Sequence, residues 1–145
     1  GVFYGAESIR TAGAELGYWR WRFLKDSLGL SYLGPVAHTV FCCEPSCRVV
    51  DLRRPPFTQD ATLWTTSDRY LETQEIARVA RKADIQAIIY ESVRDKNPAW
   101  CVAILNPVVF GGIKPKIDER AWFLSATQNS VQLRSQQESY SYKFN

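Results

Sequence analysis

Apolar and polar positions alternate along this chain with two different periods, and the switches between them divide it into elements. Residues 1–6 are a short apolar run suited to a strand. Residues 7–26 read as a long helix, in which Ala12, Leu16, Trp19 and Phe23 recur at spacings of four, three and four, the pattern of one buried stripe. Ser8 is a suitable N-cap and Gly29 supplies the stop. Residues 36–43 and 47–52 are β-rich runs separated by Glu44-Pro45-Ser46, a turn signal. Residues 53–66 hold two consecutive prolines and no period, and read as a loop of the length that often borders a site.

The pattern predicts a second helix over residues 70–83, with Leu71, Ile76, Ala80 and Ala83 on one side. Residues 85–90 are almost continuously apolar, as in a strand covered on both faces. Residues 91–98 are polar and turn-like, 99–105 return as a buried strand, and 106–118, with Gly-Gly and two prolines, are irregular. Three alternating runs close the chain at residues 121–126, 131–134 and 139–144, with a turn at Gln128-Asn129-Ser130. The order is β-α-β-β-α-β-β-β-β-β. Strands that follow one another without helical crossovers pair mostly antiparallel, so the expected class is α+β: mixed, mostly antiparallel sheets with two main helices.

Composition narrows the function classes. The chain has 145 residues, 46% apolar and 23% charged, which suits a single globular domain. A net charge of +3, spread rather than clustered, favours an anionic small molecule but is too weak to imply nucleic acid. No secretory signal and no apolar stretch of membrane-spanning length occurs, so a cytoplasmic protein without a membrane partner is expected. Cys42, Cys43, Cys47 and Cys101 lack the paired spacing of a zinc site and the single His cannot complete one; no metal is expected, and the thiols read as reduced and packed in the core. The chain holds no Met and begins in what reads as a strand, which predicts a fragment of a longer chain. No glycine-rich dinucleotide or phosphate loop is present, so a nucleotide here is held in another way.

Glu15 falls on the flank of the predicted stripe, with Thr11, Tyr18 and Arg22 along the same flank. A carboxylate there lines a cleft while keeping its hydration; equally, it is a boundary residue paired with Arg22 or solvent. Ser92 follows directly on the buried strand, and Arg94 beside it is placed to meet a phosphate. The structural alternative is a turn serine bonded to its own backbone. Tyr4 ends the first strand and either packs inward or meets a ligand. His38 lies within an apolar strand and reads as a satisfied core residue, which leaves a Ser/His/Asp triad unsupported.

Together these residues carry a resemblance. Val2-Phe3-Tyr4-Gly5-Ala6-Glu7-Ser8, followed by Thr11-Ala12-Gly13-Ala14-Glu15, resembles the opening of the RES domain. Thr73-Gln74-Glu75-Ile76-Ala77-Arg78-Val79-Ala80-Arg81, leading into Ile88-Ile89-Tyr90-Glu91-Ser92-Val93-Arg94-Asp95, resembles its second signature. The likeness covers nearly the whole chain; it departs at Glu91, where the family usually has proline.

The resemblance implies a fold similar to that of ADP-ribosyltransferases. It also implies the activity of a toxin, from a toxin–antitoxin pair, that degrades NAD⁺ by hydrolysis or phosphorolysis. Under it Glu15 is the catalytic glutamate, Tyr4 the aromatic beside nicotinamide or ribose, and Ser92 a polar group of the pocket. Thr11 and Arg94 are expected to bind substrate. NAD⁺ is then substrate and no further cofactor is implied. The expected protein partner is an antitoxin with a helix-turn-helix DNA-binding part, and a homo-oligomer is allowed. The family's phosphate-binding arginine lies on a strand upstream of the tyrosine, so the chain reads as one RES-like domain, residues 1–145, without that segment. Two other functions use the same residues: ADP-ribosyl transfer to a protein target, and a non-enzymatic protein-interaction module.

Overall fold

A computed structural model describes residues 1–62 and 70–145, the side chains of 70–73 excepted. The described elements are β1 (Phe3–Ala6), α1 (Ile9–Asp26), β2 (Tyr32–His38), β3 (Phe41–Cys42), β4 (Val49–Asp51), α2 (Tyr70–Lys82), β5 (Ala87–Glu91), β6 (Trp100–Ile104), β7 (Lys116–Ile117), β8 (Trp122–Thr127), β9 (Val131–Arg134) and β10 (Ser139–Tyr142). The fold is α+β. The chain forms two compact units, one from residues 1–7 and 44–113, the other from 8–43 and 114–145.

The first unit is a four-stranded sheet in the order β1-β6-β5-β4, parallel only between β4 and β5. The apolar run of β5 is covered on both faces, as its pattern predicts. Ile88 packs with Leu52, Ala80 and Leu105, joined by Ile76 and Ala77 of α2, while Ala87 packs with Ile104 and Val109. α2 ends at Lys82, so Ala83, expected on its buried side, lies beyond it and is exposed. The expected loop over 53–66 contains a 3₁₀ turn at Phe57–Asp60, and its residues 63–66 lie outside the described ones. The stretch expected to be irregular, 106–118, contains a further 3₁₀ turn at Pro107–Phe110 and the short β7.

The second unit lays α1 on an antiparallel sheet ordered β10-β9-β8-β2, beside the two-stranded β3–β7 ladder. Ser8 caps α1 as expected, its hydroxyl accepting the Thr11 N–H at 3.2 Å. The predicted stripe is overturned. Leu16, Trp19 and Phe23 are 39%, 50% and 55% exposed and Ala12 is exposed too, whereas Thr11, Gly13, Ala14, Gly17, Tyr18, Trp21 and Leu24 are buried. The cause is close packing at small residues. A Cβ on Gly13 would stand 2.4 Å from the Tyr142 hydroxyl, and one on Gly17 would stand 3.0 Å from Val131. The helix therefore approaches the sheet along its glycines, and aromatic residues with polar tips complete the contact. Trp21 donates to the Gln128 carbonyl at 3.1 Å, and Tyr142 to that of Arg10 at 2.8 Å.

The first predicted β-run of this unit, 36–43, is displaced and divided. β2 begins at Tyr32, its register against β8 slips between Leu33 and Val36, and β3 forms separately. The slip brackets Gly34-Pro35, where proline has no N–H to give a ladder. Of the four cysteines only Cys101 is buried; Cys43 and Cys47 are half-buried and Cys42 is exposed on β3, which corrects the expectation of core thiols. His38 is not the satisfied core residue expected: its Nε2 is buried without a hydrogen-bond partner among the described residues. Among the described residues, no helix is long and apolar enough to cross a membrane.

Candidate active site

The first unit holds Tyr4, Ser92 and Arg94; the second holds Thr11 and Glu15. Tyr4 stands on edge strand β1 opposite Ala103, with its side chain 66% exposed, so it is presented rather than packed inward. Ser92 is the first residue beyond β5 and is 6% exposed. Its N–H donates to the Ala99 carbonyl at 2.8 Å, and its Oγ accepts the N–H groups of Arg94 (3.3 Å) and Asp95 (3.1 Å). That is the turn-serine geometry of the structural alternative, and it also sets the course of the backbone bearing Arg94.

The ladder keeps Tyr4 and Ser92 apart. Tyr4, Ala103 and Ile88 share one rung, and Ser92 lies four residues further along β5. At a rise of about 3.4 Å per residue and about 4.8 Å between strands, the two sites are roughly 16 Å apart, a span that only an extended ligand bridges.

Thr11 and Glu15 are one helical turn apart on α1. Thr11 is fully buried and its hydroxyl shares a 2.8 Å hydrogen bond with that of Ser8, so it belongs to the capped start of the helix. Glu15 is half-buried beside the glycine-lined contact face, the boundary position its spacing implied. A carboxylate there reaches solvent from a rigid backbone, because the buried side of the same helix is anchored in the core.

Sequence reasoning passed over a cluster at the Ser92 end of the first unit's sheet. Arg53 forks onto Asp51, Nε to Oδ1 at 2.8 Å and Nη2 to Oδ2 at 2.7 Å, and its guanidinium carbon stands 6.0 Å from the centre of the Trp100 ring. The Arg53 hydrogen bond holds the Asp51 carboxyl below the ordinary carboxylate range. Glu7 and Trp100 exchange two bonds: the Glu7 N–H donates to the Trp100 carbonyl at 3.1 Å, and its carboxylate accepts the Trp100 N–H at 2.9 Å. The available signal was Asp51-Leu52-Arg53 at the end of a β-run, an Asp two residues before an Arg. An open depression of about 350 Å³, lined by Arg81, Asp84, Gln86, Leu105, Asn106 and Pro107, includes none of the predicted site residues. Among the described residues, no group of three or more His, Cys, Asp or Glu is placed to hold a metal.

A model of the RES domain family matches residues 1–124, which include Tyr4, Thr11, Glu15, Ser92 and Arg94. No curated protein matches the chain.

Proposed function

Because the chain belongs to the RES domain family, we propose that it cleaves the nicotinamide–ribose bond of NAD⁺, with Glu15 as the catalytic carboxylate. The observation that carries the reading is the family match over residues 1–124, a span that holds both motif groups. Cleavage breaks the bond between the ribose C1′ and the nicotinamide nitrogen. The electron pair leaves with nicotinamide, and positive charge builds on the sugar. A fixed carboxylate beside that sugar lowers the barrier by stabilising the charge, and the acceptor's oxygen then bonds to C1′. With water as acceptor a proton is released and ADP-ribose results; with inorganic phosphate the product is its 1-phosphate.

Tyr4, exposed on its strand, offers a flat ring to the leaving nicotinamide. Ser92 holds the turn that carries Arg94, which meets the negative end of the substrate. Thr11 serves the site indirectly, by bonding to the Ser8 that caps the helix of Glu15. Such an activity depletes NAD⁺ in the cytoplasm, and a cognate antitoxin with a helix-turn-helix part keeps it in check. The test follows nicotinamide released from NAD⁺, with and without inorganic phosphate and without any protein acceptor. Release in either condition supports the reading. NAD⁺ that stays intact in both overturns it, and a separate incubation in which NAD⁺ is consumed only when a target protein is added and gains the mass of ADP-ribose favours transfer instead.

A further inference from the structure

Four strands of the first unit's sheet end or begin at one edge. The parallel strands β4 and β5 finish there with Asp51 and Glu91, β6 starts there with Trp100 opposite Glu91, and β1 arrives with Ala6 and Glu7. The turn bearing Ser92 and Arg94 leaves from the same end of the sheet, and the Ser92 N–H donates to the carbonyl of Ala99, next to Trp100. Trp100 is the register partner of Glu91, the residue before the turn, so it stands beside the point where the turn leaves the sheet. Its backbone is clamped by Glu7 and its ring lies under Arg53.

We propose that Arg53 is a positioning residue of the site: forked onto Asp51 and laid over Trp100, its guanidinium holds the sheet edge from which the Ser92–Asp95 turn is built. The fork needs a planar guanidinium, because two parallel N–H groups meet both oxygens of one carboxylate and fix the plane that covers the indole. Arg53 also takes its third contact from the backbone, its own N–H donating to Asp51 Oδ1 at 3.0 Å. Asp51 first, and Glu7 and Glu91 after it, strengthen its hold on its proton. With these carboxylates already balancing its charge, the guanidinium organises protein groups rather than capturing a second anion. The inference rests on the NAD⁺-cleaving reading for its kinetic consequences, but not for its structural ones.

A double-mutant cycle on the full chain tests it, with nicotinamide release and amide hydrogen exchange as readouts. Arg53→Gln is expected to lower kcat/KM about tenfold in the parent background and less than about threefold in the Ser92→Ala background, because both changes loosen the same turn. Arg53→Lys, which keeps the charge and loses the fork, is expected to show most of the loss. Exchange at the Arg94 and Asp95 amides should quicken in Arg53→Gln while that of β9 in the other unit stays as in the parent. Asp51→Asn, which weakens the same fork, takes the place of Arg53→Gln if that variant fails to fold. Parental kcat/KM with parental exchange overturns the inference, as does an equal fold-loss in both backgrounds. If the parent chain itself releases no nicotinamide, the function reading fails, and exchange at Arg94 and Asp95 alone decides the role of Arg53.

Discussion

Glu15 is tied to the proposed chemistry through its charge, which it carries from a half-buried place on α1. Glu15→Gln keeps the size of the side chain and removes the carboxylate. It is expected to cut nicotinamide release by about 100-fold or more, measured on protein shown by circular dichroism to be folded. His38 gives a different residue-level prediction. Burial, and then the positive charge of Arg20, lower its pKa below the usual 6.5. The unfolded imidazole takes up its proton near 6.5 while the folded one resists until lower pH, so between those values the unfolded chain binds more protons. Stability is therefore held above the unfolded pKa and declines as pH drops below it. Thermal melts from pH 7.5 to pH 5 should show that decline, and His38→Gln should flatten it. The Asp118 carboxyl, pulled far below its ordinary range by hydrogen bonds from Arg120, stays ionised throughout that window.

At the scale of elements, α1 rests on its small residues. Gly13→Ala forces a Cβ to within 2.4 Å of the Tyr142 hydroxyl and 2.7 Å of Leu133, so it should destabilise the protein by about 1–3 kcal/mol despite alanine's better helix propensity. Phe23→Ala, on the exposed side, should cost less than about 1 kcal/mol, although phenylalanine is by far the larger residue. Denaturant midpoints of the two variants compare these directly, and the reverse order would mean that the periodic stripe is the packed one after all. β5 shows the opposite case. Its run over residues 85–90 is apolar but for Gln86, so little choice of face is required, and pattern and structure agree.

At the scale of the molecule, the family match and the folding unit do not end together. The match stops at residue 124, yet Ala126, Val131, Leu133 and Tyr142 belong to the same core as Ala14, Tyr18, Trp21 and Leu24 of α1. The helix bearing Glu15 is thus held by strands beyond the matched stretch. A chain ended at residue 124 should leave that face of α1 uncovered, lose near-ultraviolet circular dichroism from the Trp21 and Trp122 core, and release no nicotinamide. Retained activity in such a chain would show that β9 and β10 are dispensable to the site. Each unit draws on separated parts of the chain, so neither core is completed by one continuous stretch.

The sequence by itself determined what depends on local period and residue chemistry: the α+β class, both helices to within two residues of their described ends, the Ser8 cap, the two-sided β5, and the RES family, matched over residues 1–124. These are short-range properties, carried by neighbours three or four positions away or by a strand's own alternation. Only the tertiary structure decided which side of α1 is buried, because that rests on Gly13 and Gly17 meeting Tyr142 and Val131, more than a hundred residues distant. It likewise decided that Ser92 shapes a turn, that the buried Nε2 of His38 has no hydrogen-bond partner among the described residues, and that Arg53 and Trp100 meet at one end of a sheet. A close approach of backbones favours the smallest side chains, and those contribute least to any hydrophobic pattern.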